Sequence, residues 1–561
     1  MKSRLTIAVE EGQPVFEHGL TLRSFLGILY AAMVLQPAVI WIYFSTGQSP
    51  IVLATYASVF LFGEVAALFG KPLRKQEVFI FLVGCSSATS LFFPLLIYNL
   101  YFRRHPQIYN IKDMFPGWWA PSSDSPVWPL RTFIHPDWLA PILVSFVPII
   151  GGIATNISLA FIMREIYIRQ EKLPFPIYQV QADLCSTLSE REESRSRIFL
   201  ASAVISFAYG LVLYALPQIS YAILDVSIRV IPLPWVDLNY LSEVALPGAS
   251  FGIATDPTIV LIGFLINPVV TLSIFVGAMA VYFFGNWALV SQGLFTEWHP
   301  GMSLQLAWQR TILRFWASPN IMLVVAAGLL PLVFGYKILI RSFKSLAKIR
   351  ASRTRLSLNI LLVLYFAGTL SSVAVAYLLV PDFPVWVLLM LSAGWTFMLN
   401  LFSARSVGTT GIPINIPYVR EGAILTSGYQ KYDVWFAPIV FPAFPALAPS
   451  LEPEGANWCG FLKVADLTST HPMDLVKSIL IAIPLGIIFS FIYTQMFWNI
   501  AQIPSALFPT PFWDINVTMT TLFITRQISF FRPDWMAATL VLAVAIQCLT
   551  EFMHVPISLI G

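Results

Sequence analysis

FPVWVLLMLSAGWTFMLNLFSA, Phe383 to Ala404, runs without a clean loop into RSVGTTGIPINIP, Arg405 to Pro417. The first stretch carries no charge and has the length of a membrane crossing, for which a helix needs about 20 apolar residues. The second sets Arg405, Thr409, Thr410 and Asn415 among helix-breaking Gly and Pro. Hydrocarbon tolerates unpaired backbone and a guanidinium only where protein or a water-filled path satisfies them. A broken, polar segment joined to a span therefore predicts a passage for solute.

The rest of the chain has the composition of the surrounding bundle. Of 561 residues, 57% are hydrophobic and 11% charged, against about 25% charged in a typical soluble domain. Mean hydropathy is +0.74. Charge-poor runs lie at 24–45, 51–70, 78–100, 139–163, 198–217, 258–284, 315–336, 356–380, 383–404, 478–499 and 535–550. Further apolar stretches near 218–257, 434–450 and 505–531 are broken by Pro, Gly and charge. The expectation is an all-α, polytopic integral membrane protein, a single membrane domain over 1–561 with about 12 to 16 membrane segments, some broken or re-entrant.

Loop charge sets the topology. Lys337, Arg341, Lys344, Lys348, Arg350, Arg353 and Arg355 follow one another with no acid between them, which predicts a cytoplasmic loop over 337–355. The 1–22 segment is polar and has no cleavable apolar region, so the first span is expected to direct insertion into the cell membrane with the N-terminus cytoplasmic. The 101–137 loop then falls outside. Its Trp118, Trp119 and Trp128 read as an interfacial aromatic belt or as a lid over an outer vestibule. Past Pro217 one crossing is missing from the count. Either the stretch before Asp256 spans, or Asn267 and Pro268 split the 258–284 run into two half-helices; the broken helix is preferred.

The net charge of +4 is spread along the loops and offers nothing to nucleic acid. Cys85, Cys185, Cys459 and Cys548 are far apart, with neither zinc spacing nor a disulfide framework. No metal site and no cofactor is expected. Glu551 and His554 form one Glu-x-x-His, whereas a di-iron site needs two such pairs and further acids. Walker A and His-Glu-x-x-His patterns are absent, so an enzyme is not expected.

Several separated motifs resemble one family, the oligopeptide transporter (OPT) family that includes the yellow-stripe metal-chelate carriers. GEVAALFGKPLRKQE (Gly63 to Glu77) is similar to its early Thr/Arg-Lys-Gln-Glu loop, and LPFPIYQVQADL (Leu173 to Leu184) to its Leu-Pro-Phe-Pro segment. LPGASFGIATDPTIVLIGFLINP (Leu246 to Pro268) resembles its broken mid-chain segment, ARSVGTTGIPIN (Ala404 to Asn415) its Ala-Arg-x-x-Gly-Glu-Thr pattern, and FLKVADLTSTHPMDLVKS (Phe461 to Ser478) a later cytoplasmic link. These cover about Leu20 to Phe497 in family order. Two positions depart: Thr409 stands where the family has Glu, and Leu73 where it has Thr. The resemblance implies a secondary carrier that imports peptides or amino-acid-derived metal chelates, usually driven by protons.

Read on their own chemistry, Glu64, Asp183 and Asp256 are the candidates for the coupling ion. An ionised Glu64 in an otherwise uncharged span costs about 3 kcal/mol on insertion scales. It is either a proton shuttle facing a cavity or a neutral group bonded to a neighbouring helix. Asp256 either caps a half-helix or binds a cation. Arg405 offers a bidentate fork to a substrate carboxylate, or else snorkels to the interface. Thr409, Thr410 and Asn415 would add neutral hydrogen bonds. Gln179 and Asp183, four apart, share a helical face, with Tyr178 and Gln181 lining another side, as in a re-entrant helix or a plain amphipathic one. The expected partners are a small-molecule substrate, protons and the lipid bilayer, with homo-oligomerisation left open. The rival readings are a channel and a membrane enzyme acting on lipid-linked substrate.

Overall fold

The structure, a computed structural model, describes residues 16–47, 51–190, 193–326, 357–438, 454–526 and 532–552. Within these ranges it leaves out 69, 71, 225, 227, 233–234, 256–259, 261–262, 265–267, 317, 321, 324–325, 412, 414–418, 506 and 511–512. The basic 337–355 loop, Asp256 and Asn415 fall outside the described residues.

The protein is an all-α polytopic membrane protein. Among the described residues seven helices are long and apolar enough to cross a bilayer: Leu22–Ser45, Lys75–Arg104, Pro136–Gln170, Thr271–Ser291, Leu358–Leu379, Val385–Thr410 and Pro472–Ile500. Ala201–Leu213 and Pro533–Ile546 are shorter apolar helices. Strand is confined there to Trp235–Asp237 paired antiparallel with Gly252–Ala254. The chain divides into two compact units.

The first unit comprises 1–94, 178–191 and 461–510. Its centre is the Lys75–Ala88 helix, buried from Gln76 to Cys85. The RKQE motif makes its N-terminus: Glu77, in the first turn, accepts the backbone N–H of Arg74 at 3.0 Å and the Thr21 hydroxyl at 2.7 Å. Glu77 thus satisfies orphan donors at the helix start and ties it to the preceding segment. Small residues let the neighbours close in. A Cβ on Gly486 of the Pro472–Ile500 helix would stand 2.5 Å from the Ala88 carbonyl oxygen, and backbone contact of this kind requires glycine. Gly486→Ala is expected to destabilise the protein by about 1 to 3 kcal/mol, measured as a lowered unfolding midpoint in detergent. An unchanged midpoint would show that the helices separate at no cost.

The second unit comprises 95–177, 192–460 and 511–561. The Leu139–Met163 helix packs along Leu358–Leu379, where Gly368 lies against the Gly151 carbonyl and the Ser158 hydroxyl donates to the Leu361 carbonyl at 2.5 Å. The 101–137 loop is built differently from a simple aromatic belt. Trp119 is buried in a cluster with Phe102, Phe115 and Phe436. Arg103 is buried beneath the loop and donates to the carbonyls of Ala120 at 2.6 Å and Phe115 at 2.9 Å. The buried guanidinium thus satisfies carbonyls of the loop's own backbone.

The mid-chain segment corrects the sequence reading. The stretch from 235 to 254 is a short helix, Asn239–Ser242, between two paired strands, not a spanning helix, while the first half of the split 258–284 run lies largely outside the described residues. Asn239 fixes it, its Oδ1 accepting the Phe251 N–H at 2.9 Å, and Gly248 supplies a φ of 87° that a helix cannot use. The next described helix is Pro268–Ala278.

Candidate functional site

The second unit holds Arg405. Its helix does not break at Ala404: Thr396–Thr410 is continuous, and the stop comes at Gly411 with φ 84°. The Gly and Pro pattern was read several residues too early, because Gly408 is used for packing and only Gly411 takes the left-handed conformation. Thr409 and Thr410 therefore lie on the last turn. Thr409 donates to the carbonyls of Arg405 at 3.0 Å and Ser406 at 3.1 Å, and Thr410 to that of Ser406 at 2.9 Å. Their hydroxyls cap this helix's own carbonyls.

The LPFP segment crosses the end of the same helix. The Phe175 N–H, on a residue with φ 53°, donates to the Gly408 carbonyl at 2.8 Å. A Cβ on Gly408 would come within 2.6 Å of Leu173, and one on Gly411 within 2.6 Å of Ile177. Two motifs more than two hundred residues apart are thus halves of one contact. The glycines are the socket and Leu173, Phe175 and Ile177 the plug.

The residue that sequence reading missed is Glu171. It directly precedes this plug and stands 3.9 Å from the Arg405 guanidinium, with 12% of its side chain exposed against 33% for Arg405. At that distance the pair attracts without a hydrogen bond. Burial pushes the Glu171 carboxyl up from its ordinary range, and Arg405 pulls it part of the way back. Beneath the pair, Tyr167 is buried and its hydroxyl donates to the Leu401 carbonyl at 3.0 Å. Both residues come off helices with a π-segment, Arg164–Gln170 before Glu171 and Met390–Trp395 before Arg405. Such segments re-aim the turns that follow them and recur at functional sites. Glu171 was hidden in the charged link after Arg164, where acids and bases read as an ordinary solvated loop; its adjacency to Leu-Pro-Phe-Pro was the available signal.

The first unit holds the other candidates. Gln179 and Asp183 share the exposed face of Pro176–Glu190, as the spacing predicts. Tyr178 is on the opposite, buried side, its ring 5.7 Å from that of Phe461. Gln181 donates from Nε2 to the Tyr56 hydroxyl at 2.9 Å. Tyr56 and Glu64 belong to one helix, Ile51–Leu68, eight residues apart and so about 12 Å along it. Glu64 is exposed and shares its surface with Leu61 and Val65. Cys85, Cys185 and Cys459 are buried free thiols and Cys548 an exposed one.

A bundle of membrane-length helices defines a class, the polytopic integral membrane proteins. The sequence matches the model of the family described as OPT oligopeptide transporter protein over residues 19–559. The chain therefore belongs to the OPT oligopeptide transporter family and is a membrane transporter. A search of the curated proteins finds no match.

Proposed function

We propose that the protein is a secondary carrier of the cell membrane, with its N-terminus cytoplasmic, that imports oligopeptides or amino-acid-derived metal chelates together with protons. The observation that carries this reading is the Glu171 to Arg405 pair. Arg405 keeps a guanidinium at a half-buried helix end with an acid at 3.9 Å, outside hydrogen-bonding distance, so its fork is available to a carboxylate that approaches more closely. Peptide C-termini and carboxylate chelators both carry that group. The neutral donors and acceptors of Thr409, Thr410 and Asn415 flank it in sequence, and Tyr178, Gln179 and Gln181 remain substrate candidates of the first unit.

Proton coupling follows from the same pair. A substrate carboxylate that takes over Arg405 removes the charge that favours ionised Glu171, so binding raises the affinity of Glu171 for a proton. By reciprocity, protonating Glu171 strengthens substrate binding. Glu64, Asp183 and Asp256 remain the further coupling candidates. The membrane potential supplies about 2.3 kcal/mol per 100 mV for each charge carried, which is the driving force of uptake.

Uptake into proteoliposomes of a mixed peptide library and of ferric or nickel amino-acid chelates, with and without an imposed proton gradient, tests this reading. Saturable uptake accelerated by the gradient is expected for one of the two substrate classes. Glu64→Gln is expected to abolish the acceleration while leaving gradient-free exchange. Acceleration retained in that variant would remove Glu64 from the coupling path. Uptake that never saturates would favour a channel.

A further inference from the structure

Within the first unit, the segment before the first helix meets the start of the Pro472–Ile500 helix at His18, His471 and Asp474. One ligand-capable atom of each lies within 4.8 Å of the others. We propose that these three side chains bind one transition-metal ion of the zinc, cobalt or nickel class at a site of their own, distinct from Arg405 and its surroundings.

Two imidazoles and a carboxylate are the donors such borderline ions take, with water in the fourth position. One edge of the triangle already has the spacing of a formed site, and the third donor closes in from within 4.8 Å. His18 Nδ1 stands 3.0 and 3.2 Å from the two Asp474 oxygens. Around a tetrahedral ion with bonds of about 2.0 to 2.1 Å, neighbouring donors sit roughly 3.3 Å apart. The rings of His18 and His471 face each other at 5.0 Å between centroids, tilted by 30°.

The outer shell is already in place. Asp474 Oδ2 accepts the Gly19 N–H at 3.0 Å, and His471 Nδ1 accepts the Met473 N–H at 3.3 Å. The second bond fixes the ring orientation. Asp474 is 1% exposed whereas His18 is 67% exposed, so an ion can enter from solvent and settle on a fixed carboxylate. Lys477 Nζ competes at 3.4 Å from Asp474 Oδ1, on a half-exposed, flexible side chain. The incoming ion displaces that ammonium into water and takes the place of the proton between His18 and Asp474.

Metal here would fasten the chain before Leu22. That chain is already held by Glu17, whose N–H donates to the Ser469 carbonyl at 2.9 Å and whose carbonyl accepts the His471 N–H at 2.8 Å. His18 is more than four hundred residues from His471 and Asp474 in sequence, which is why no metal spacing was legible there.

The test is titration of the tag-free, full-length protein in detergent with Co²⁺, followed by its visible absorption, and with Zn²⁺, followed by thermal unfolding. One Co²⁺ per chain with the intense bands of four-coordination is expected, together with a zinc-dependent rise in the unfolding midpoint. His18→Ala, at an exposed position that leaves the helix intact, and His471→Ala should each weaken binding by roughly tenfold or more. His299→Ala, at an exposed histidine of the other unit, should leave it unchanged. Absence of saturable binding, or binding that His18→Ala and His471→Ala both leave intact, would overturn the proposal.

Discussion

Arg405→Lys is expected to weaken binding of carboxylate-bearing substrates by roughly tenfold to a hundredfold, about 1.4 to 2.8 kcal/mol, with little loss of fold. Lysine keeps the positive charge near Glu171 but offers a point charge where arginine offers a planar fork, so the loss reports geometry and not charge. The side chain is a third exposed, and the helix end around it is held by Gly408, Gly411 and the LPFP segment, none of which depends on the guanidinium. Binding to the purified carrier of a peptide and of the same peptide with an amidated C-terminus separates the two contributions. If Arg405 reads the carboxylate, amidation costs the wild type far more than it costs the lysine variant. Equal losses in both proteins would take Arg405 out of recognition.

Glu171→Gln is expected to change the pH profile of binding. The carboxyl titrates above its ordinary range because it is largely buried, with Arg405 opposing the shift. In the wild type the ionised carboxylate competes with substrate for Arg405, so affinity rises as pH falls through this raised value, from the proton-free to the proton-bound state. Glutamine imitates the protonated form. The variant should bind at least as tightly as the wild type does in acid, with little pH dependence across that window, and should lose proton-driven accumulation. A pH profile identical to the wild type's would remove Glu171 from the coupling.

The helical bundle was legible because a membrane span is a matter of local composition: runs such as 139–163 and 478–499 declare themselves without knowledge of their neighbours. Features that depend on two distant segments were not. Glu77 reads as part of a basic loop until Thr21 is placed beside it. The Gly408 to Gly411 stretch reads as a helix breaker until Leu173 and Ile177 are seen to need its missing side chains. The paired strands at 235–237 and 252–254 were not foreseen, because apolar residues of short strands and short helices share one composition. Arg405 was found from its oddity in an apolar context, whereas Glu171, equally placed, was lost among ordinary loop charges.

The most direct test of coupling is the luminal pH of proteoliposomes when substrate is added outside with no gradient imposed, read with a trapped pH dye. A proton-coupled carrier predicts acidification that saturates with substrate, scales with its uptake and is lost in Glu171→Gln. Substrate uptake with no change in luminal pH would contradict proton coupling.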